Sequence, residues 1–129
     1  MIEVVAGESL DTASADVLVV PVLSELTWGP GAEWAVAALG DWVEGYLTAQ
    51  EFTGKARQMA TVPGGDAVTF GRVVFVGLGD EVDAEGLRRA AGTVGRALSK
   101  YATVATTLHQ LEIDDAAECV AFGFMAGQY

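Results

Sequence analysis

Gly71-Arg-Val-Val-Phe-Val-Gly-Leu-Gly-Asp-Glu-Val-Asp-Ala-Glu-Gly-Leu-Arg-Arg-Ala-Ala-Gly-Thr-Val-Gly-Arg-Ala-Leu98 reads as a strand, a turn and a helix in succession. Val73 to Val76 is an unbroken apolar run of β-branched and aromatic residues, which suits a strand covered on both faces of an α/β sheet. Gly77-Leu78-Gly79 is predicted to stop it. Asp83 can accept hydrogen bonds from the first free N–H groups of a helix, and Glu85 places negative charge near that helix's positive end. Leu87, Ala90, Ala91, Val94, Leu98 and Tyr101 fall at helical spacing on one face, while Arg88, Arg89, Arg96 and Lys100 point elsewhere.

Outward from this centre the chain is short and acidic. Its 129 residues, half of them apolar, suit one domain spanning 1–129 that buries roughly two-thirds of its unfolded surface. The net charge of −11 repels phosphate backbones and anionic lipid heads, so neither nucleic acid nor a membrane is an expected partner. All basic residues lie from Lys55 to Lys100, whereas the carboxylates from Glu3 to Glu51 precede them with no Lys or Arg among them. A solvated acidic face explains this, and a partner with a basic surface is the sharper alternative. Cys119 is the only cysteine, which excludes an intrachain disulfide and suits a core position. No basic, apolar leader opens the sequence, and Val17 to Leu23 is too short to span a bilayer, so a cytoplasmic location is expected.

Ile2 to Ala6 and Asp16 to Leu23 read as the first two strands. Pro21 cannot donate to a ladder, so the second strand should end near it or lie at an edge there. Gly29-Pro30-Gly31 is a break, and Ala32 to Leu39 a helix. Trp34, Ala38, Trp42, Gly45 and Tyr46 recur at three- and four-residue steps, with Gly40-Asp41 interrupting; one kinked helix or two short ones fit equally. Trp28, Trp34 and Trp42 could form a stacking platform, but their spacing favours core positions. Phe52-Thr-Gly54-Lys55 is a turn with an aromatic anchor, Gln58 to Val62 a modest strand, and Pro63-Gly64-Gly65-Asp66 a turn. Thr103 to His109 reads as a further strand and Asp114 or Asp115 as the cap of a last helix. Strand and helix signals alternate after residue 57, which favours a three-layer α/β domain with a mixed sheet.

Chemistry is sparsely signalled. Gly77-Leu78-Gly79 is the phosphate-loop candidate, but Val82 leaves Gly-x-Gly-x-x-Gly incomplete, and Asp80, Glu81, Asp83 and Glu85 would repel a phosphate. His109 is the only histidine and has no spaced partner for a metal. Asp114, Asp115 and Glu118 have the spacing a helix N-terminus uses electrostatically. No Gly-x-Ser-x-Gly elbow surrounds Ser9, Ser14, Ser24 or Ser99, and Lys55 reads as an exposed amine. No catalytic, cofactor-binding or metal-binding residue is assigned.

Arg72-Val-Val-Phe-Val-Gly-Leu-Gly79 followed by Leu87-Arg-Arg-Ala-Ala91 resembles the N-terminal domain of the leucine (cytosol) aminopeptidase family. Ala15-Asp16 before a strand, Phe52-x-Gly54-Lys55, and Ala121-Phe-Gly-Phe-Met-Ala-Gly-Gln-Tyr129 are similar to segments of the same domain in the same order. The resemblance implies a macrodomain-like fold and a non-catalytic N-terminal domain, with a C-terminal catalytic domain following beyond Tyr129. In that family two divalent metal ions, zinc or manganese, sit in the C-terminal domain, and the Asn-Thr-Asp-Ala-Glu-Gly-Arg motif for them does not occur here. The implied partners are the protein's own catalytic domain, a homo-oligomer (a hexamer in the family) and peptides as the parent's substrate. The implied role of this part is oligomer assembly or control of active-site access. A free-standing macrodomain-like module binding ADP-ribose or a related nucleotide is the alternative.

Overall fold

The computed structural model describes residues 2–4, 15–29, 31–56, 58–64, 70–79, 83–97 and 104–106. In chain order these form β1 (Ile2–Val4), β2 (Ala15–Leu23), a 3-10 turn (Ser24–Leu26), β3 (Thr27–Trp28), α1 (Ala32–Leu39) and α2 (Trp42–Ala49). Then come β4 (Met59–Pro63), β5 (Phe70–Gly79), α3 (Ala84–Ala97) and β6 (Val104–Thr106). The strands make one mixed sheet in the order β1-β6-β2-β5-β4, with β3 hydrogen-bonded to the end of β2. β1, β6, β2 and β5 run parallel, and β4 runs antiparallel to β5.

Alternation along the two central strands builds the layers. Leu18, Val20 and Val22 of β2, with Val73 and Phe75 of β5, pack under Ala32, Ala35 and Leu39 of α1 and Val43 and Leu47 of α2. The intervening Val17, Val19, Val74 and Val76 are equally buried, as are Leu87, Ala90, Ala91 and Val94 of α3. Both faces of β2 and β5 are thus covered, which is why these strands read as apolar runs rather than as alternating ones. Each buried Val, Leu or Phe among them stabilises the fold by about 1.5–3 kcal/mol relative to exposure.

Pro21 is the seventh of the nine residues of β2 and still fits. The Gly29 N–H donates to the Pro21 carbonyl at 3.1 Å. A residue's N–H and C=O point to the same side of a strand, so the donor that Pro21 lacks would have pointed toward β3 and away from β5. On that side the described part of β6 reaches Val19, and β3 starts at Val22. Among the described residues no ladder partner faces that missing donor, as the proline requires.

Two expectations need correction. The central strand does not stop at Gly77: β5 continues to Gly79, with Gly77 opposite Val22 and Gly79 opposite Leu23 across an irregularity in register. These glycines serve close packing within the strand rather than ending it. The helical stripe at Trp34, Ala38, Trp42 and Tyr46 is also buried only in part: Trp34 packs on the core, whereas its later members do not. Ala32, Ala35, Leu39, Val43 and Leu47 share the same period and face the sheet, while Trp42 and Tyr46 lie exposed. Small residues at 32 and 35 let α1 approach β2 closely, which the bulky stripe would prevent. Gly40, at φ 121°, separates two short helices.

Candidate functional site

β2 and β5 are adjacent and parallel, so their carboxyl ends open the same way. In open α/β sheets the crevice outside those ends is where ligands bind. Here the chain's own backbone fills much of it. Residues 51–56 leave the end of α2 and cross over the ends of both strands toward β4. The Gly77 N–H donates to the Gln58 carbonyl at 2.8 Å and the Gly79 N–H to the Gly54 carbonyl at 2.9 Å. Two amides of the phosphate-loop candidate are therefore already bonded.

The seat of this strap is glycine-dependent. A Cβ on Gly77 would run into the Lys55 carbonyl oxygen, and one on Gly54 into that of Leu23. Gly54 also has φ 93°, a left-handed conformation that costs side-chain-bearing residues energy. Gln58 holds the strap in shape. Its Oε1 accepts from the Thr53 N–H at 3.0 Å and the Lys55 N–H at 3.1 Å, while its Nε2 donates to the Glu51 carbonyl at 3.2 Å. Phe52 is buried in the core and anchors the strap from below, as its turn pattern suggested. The Leu26 N–H donates to the Thr53 carbonyl at 3.0 Å and ties the strap to the turn after β2.

What remains open at this end is a groove of about 620 Å³ lined by Ser24, Glu25, Thr53, Lys55, Ala56 and Gly79. Glu25 and Leu26 carry φ of 60° and 53°. Consecutive left-handed residues other than glycine store strain and occur where surrounding structure enforces them. The lining offers one carboxylate, one ammonium and two hydroxyls, with no imidazole or thiol to act as a base at neutral pH. Ser24 and Lys55, both weighed from sequence, meet here. Among the described residues no three His, Cys, Asp or Glu side chains converge as metal ligands. The exposed carboxylates Glu25, Glu33, Asp41, Glu44 and Glu51 are distributed over the turn, α1, α2 and the strap. No helix among them is long and apolar enough to cross a membrane.

Other sequence candidates divide. Ser9, Ser14, Ser99, His109, Asp114, Asp115, Glu118 and Cys119 lie outside the described residues. Trp28 and Trp34 are half-buried and pack on the core, 6.2 Å from the Phe75 ring and 6.1 Å from the Phe70 ring respectively. Trp42 departs from the core expectation: it is 48% exposed, with its indole N–H donating to the Leu39 carbonyl at 2.9 Å. The three rings form no common platform. Sequence reasoning missed Gln58 and Glu25, since nothing in the local pattern marks a glutamine as a loop organiser or a glutamate as left-handed.

This arrangement fits a known domain. Residues 19–129 match the model of the cytosol aminopeptidase family, N-terminal domain. The chain belongs to the cytosol aminopeptidase family. Over 127 residues it is 35% identical to a probable cytosol aminopeptidase of Streptomyces griseus, covering 92% of this chain and 24% of that protein. Over 85 residues it is 44% identical to a probable cytosol aminopeptidase of Rhodococcus erythropolis, covering 64% of this chain and 16% of that one. Among solved structures, a mutant of tomato leucine aminopeptidase superposes with a TM-score of 0.76 at 16% identity, over 99% of this chain and 28% of that chain. The bottromycin maturation enzyme BotP gives 0.68 at 22% identity, over 90% and 24%. At these identities the two structures establish the fold alone. The chain spans a quarter or less of the length of these curated relatives.

Proposed function

We propose that this chain is the N-terminal, non-catalytic domain of a metal-dependent leucyl aminopeptidase whose parent protein releases N-terminal residues from peptides. The observation that carries the reading is the coverage: a match through nearly the whole of this chain takes up only 24% of the Streptomyces relative. Among the described residues no three His, Cys, Asp or Glu side chains converge in the way that divalent zinc or manganese ions would need. In this proposal those ions and the reacting groups belong to a C-terminal catalytic domain. This part contributes to homo-oligomer assembly or to access to the active site in a cytoplasmic enzyme. Its fold would be macrodomain-like, with the strap occupying part of the ligand crevice.

The rival, a free-standing module for ADP-ribose or a related nucleotide, draws support from the groove beside Gly79. Against it stand the Gly77 and Gly79 amides, already bonded, and the acidic balance of the chain. An antibody raised against this chain tests the proposal by immunoblot of the source cells. A band several times heavier than 13.4 kDa is expected; a single band at that mass would overturn it.

A further inference from the structure

Among the described residues β4 forms one edge of the sheet. Its ladder with β5 includes the Gly77 N–H to Gln58 carbonyl bond at 2.8 Å and the Gly64 N–H to Gly71 carbonyl bond at 3.0 Å. Bonded pairs in an antiparallel ladder recur at every second residue, so Ala60 and Val62 spend their backbone groups on β5. The N–H and C=O of Met59 and Thr61 then point to the open edge. Met59-Ala-Thr-Val-Pro63 contains no charged residue, and charge is the common protection of such an edge; only Pro63, which lacks a donor, limits pairing at its far end.

Above this edge α2 leaves a groove of about 330 Å³ between Tyr46, Phe52, Met59 and Thr61. Tyr46 is 38% and Met59 36% exposed, and Trp42 stands edge-on to Tyr46 at 5.9 Å between ring centroids. Indole hydrogen bonding to Leu39 pins the Trp42 ring beside Tyr46, so an aromatic rim is preformed next to a mostly polar groove that Gln50, Glu51, Gln58 and Thr61 help line. Glu51 is the single charged residue lining the groove. Asp41 and Glu44 are exposed on the same helical segment, and no Lys or Arg occurs in the chain before Lys55.

We propose that β4 and the α2 groove together bind an extended segment of a partner protein in which Lys or Arg alternates with apolar residues, added to the sheet as one more strand. Backbone bonds to Met59 and Thr61 supply the pairing, and alternate side chains supply selectivity. Alternation sends the segment's side chains to opposite faces of the sheet, and its apolar residues lie beside Met59, on the face away from α2. Its cations lie on the α2 face, toward Glu51 and the exposed rings of Tyr46 and Trp42. A second copy of this chain is the poorer occupant, because pairing β4 with β4 would bring two acidic surfaces together at a net charge of −11 each.

The probes are a synthetic peptide alternating Lys with Val, its Glu-for-Lys counterpart, and an N-methylated Lys-Val peptide that cannot donate backbone hydrogen bonds. Binding is read from Trp fluorescence and from the amide resonances of Met59 and Thr61. The Lys-Val peptide binds, the acidic one does not, and N-methylation weakens binding about tenfold or more. Thr61→Pro, at an outward-facing donor that the β5 ladder does not use, produces a similar loss, and Glu51→Lys weakens the basic peptide alone. The modified peptide leaves the protein untouched and so decides the matter if Thr61→Pro fails to fold. Absent binding at millimolar peptide, or binding indifferent to N-methylation, overturns the proposal. So does a dimer of the chain that Thr61→Pro dissolves.

Discussion

The two helical layers cover the same two strands and are built in opposite ways. α3 is a single helix of 14 residues. Asp83 opens it, its Oδ1 accepting from the Gly86 N–H at 2.7 Å and its carbonyl from the Leu87 N–H at 2.9 Å. Its buried stripe follows from its own sequence. α1 and α2 are helices of 8 residues each, neither with a side-chain N-cap hydrogen bond. Isolated helices shorter than about 12–15 residues are marginal in water, so this layer exists through packing. Its position is fixed by Phe52 below and by the strap that Gln58 ties down. One layer carries its instructions locally, and the other borrows them from the ends of β2 and β5. The borrowing layer is also the one that presents exposed aromatic rings and, with β4, the groove beside Tyr46.

The contrast can be broken most forcefully at Gly77. Gly77→Ala places a methyl group against the Lys55 carbonyl and should cost about 3 kcal/mol or more, read as a lowered urea midpoint. An unchanged midpoint would mean that the strap is not seated on β5. Gln58→Leu removes the side-chain bonds that shape the strap and should cost about 2 kcal/mol. Hydrogen exchange should then quicken through residues 51–56 while α3 keeps its protection; uniform quickening would mean that the layers are not separable. Asp83→Ala should cost about 1 kcal/mol and fray only the start of α3, visible as faster exchange at Gly86 and Leu87. A loss twice that size would show that the cap also supports the neighbouring loop.

How legible each part was follows from the same contrast. The α3 face, its Asp83 cap, the bounds of α1 and the apolar character of β2 and β5 could be read because local residues determine them. Pro21 was legible as a local edge, since a missing donor constrains only its own side of the strand. The α1–α2 stripe was misread because two apolar series share one period, and only the approach distance to the sheet chooses between them. Gly77 and Gly79 read as a stop, although they are strand residues whose missing side chains make room for a strap 19 to 25 residues away in sequence. The candidate site was half legible. Gly77, Gly79 and Lys55 drew attention from the sequence, whereas Gln58 and Glu25 matter through contacts and backbone angles that no local pattern encodes.

The central structural claim is that the crevice at the carboxyl ends of β2 and β5 is closed by the chain itself at the amides a phosphate would need. The most direct measurement is a titration with ADP-ribose, followed at the Gly77 and Gly79 amide resonances. Both amides should exchange slowly and keep their chemical shifts at millimolar ligand. Rapid exchange, with shifts that saturate as the nucleotide binds, would show an open cradle and contradict the account.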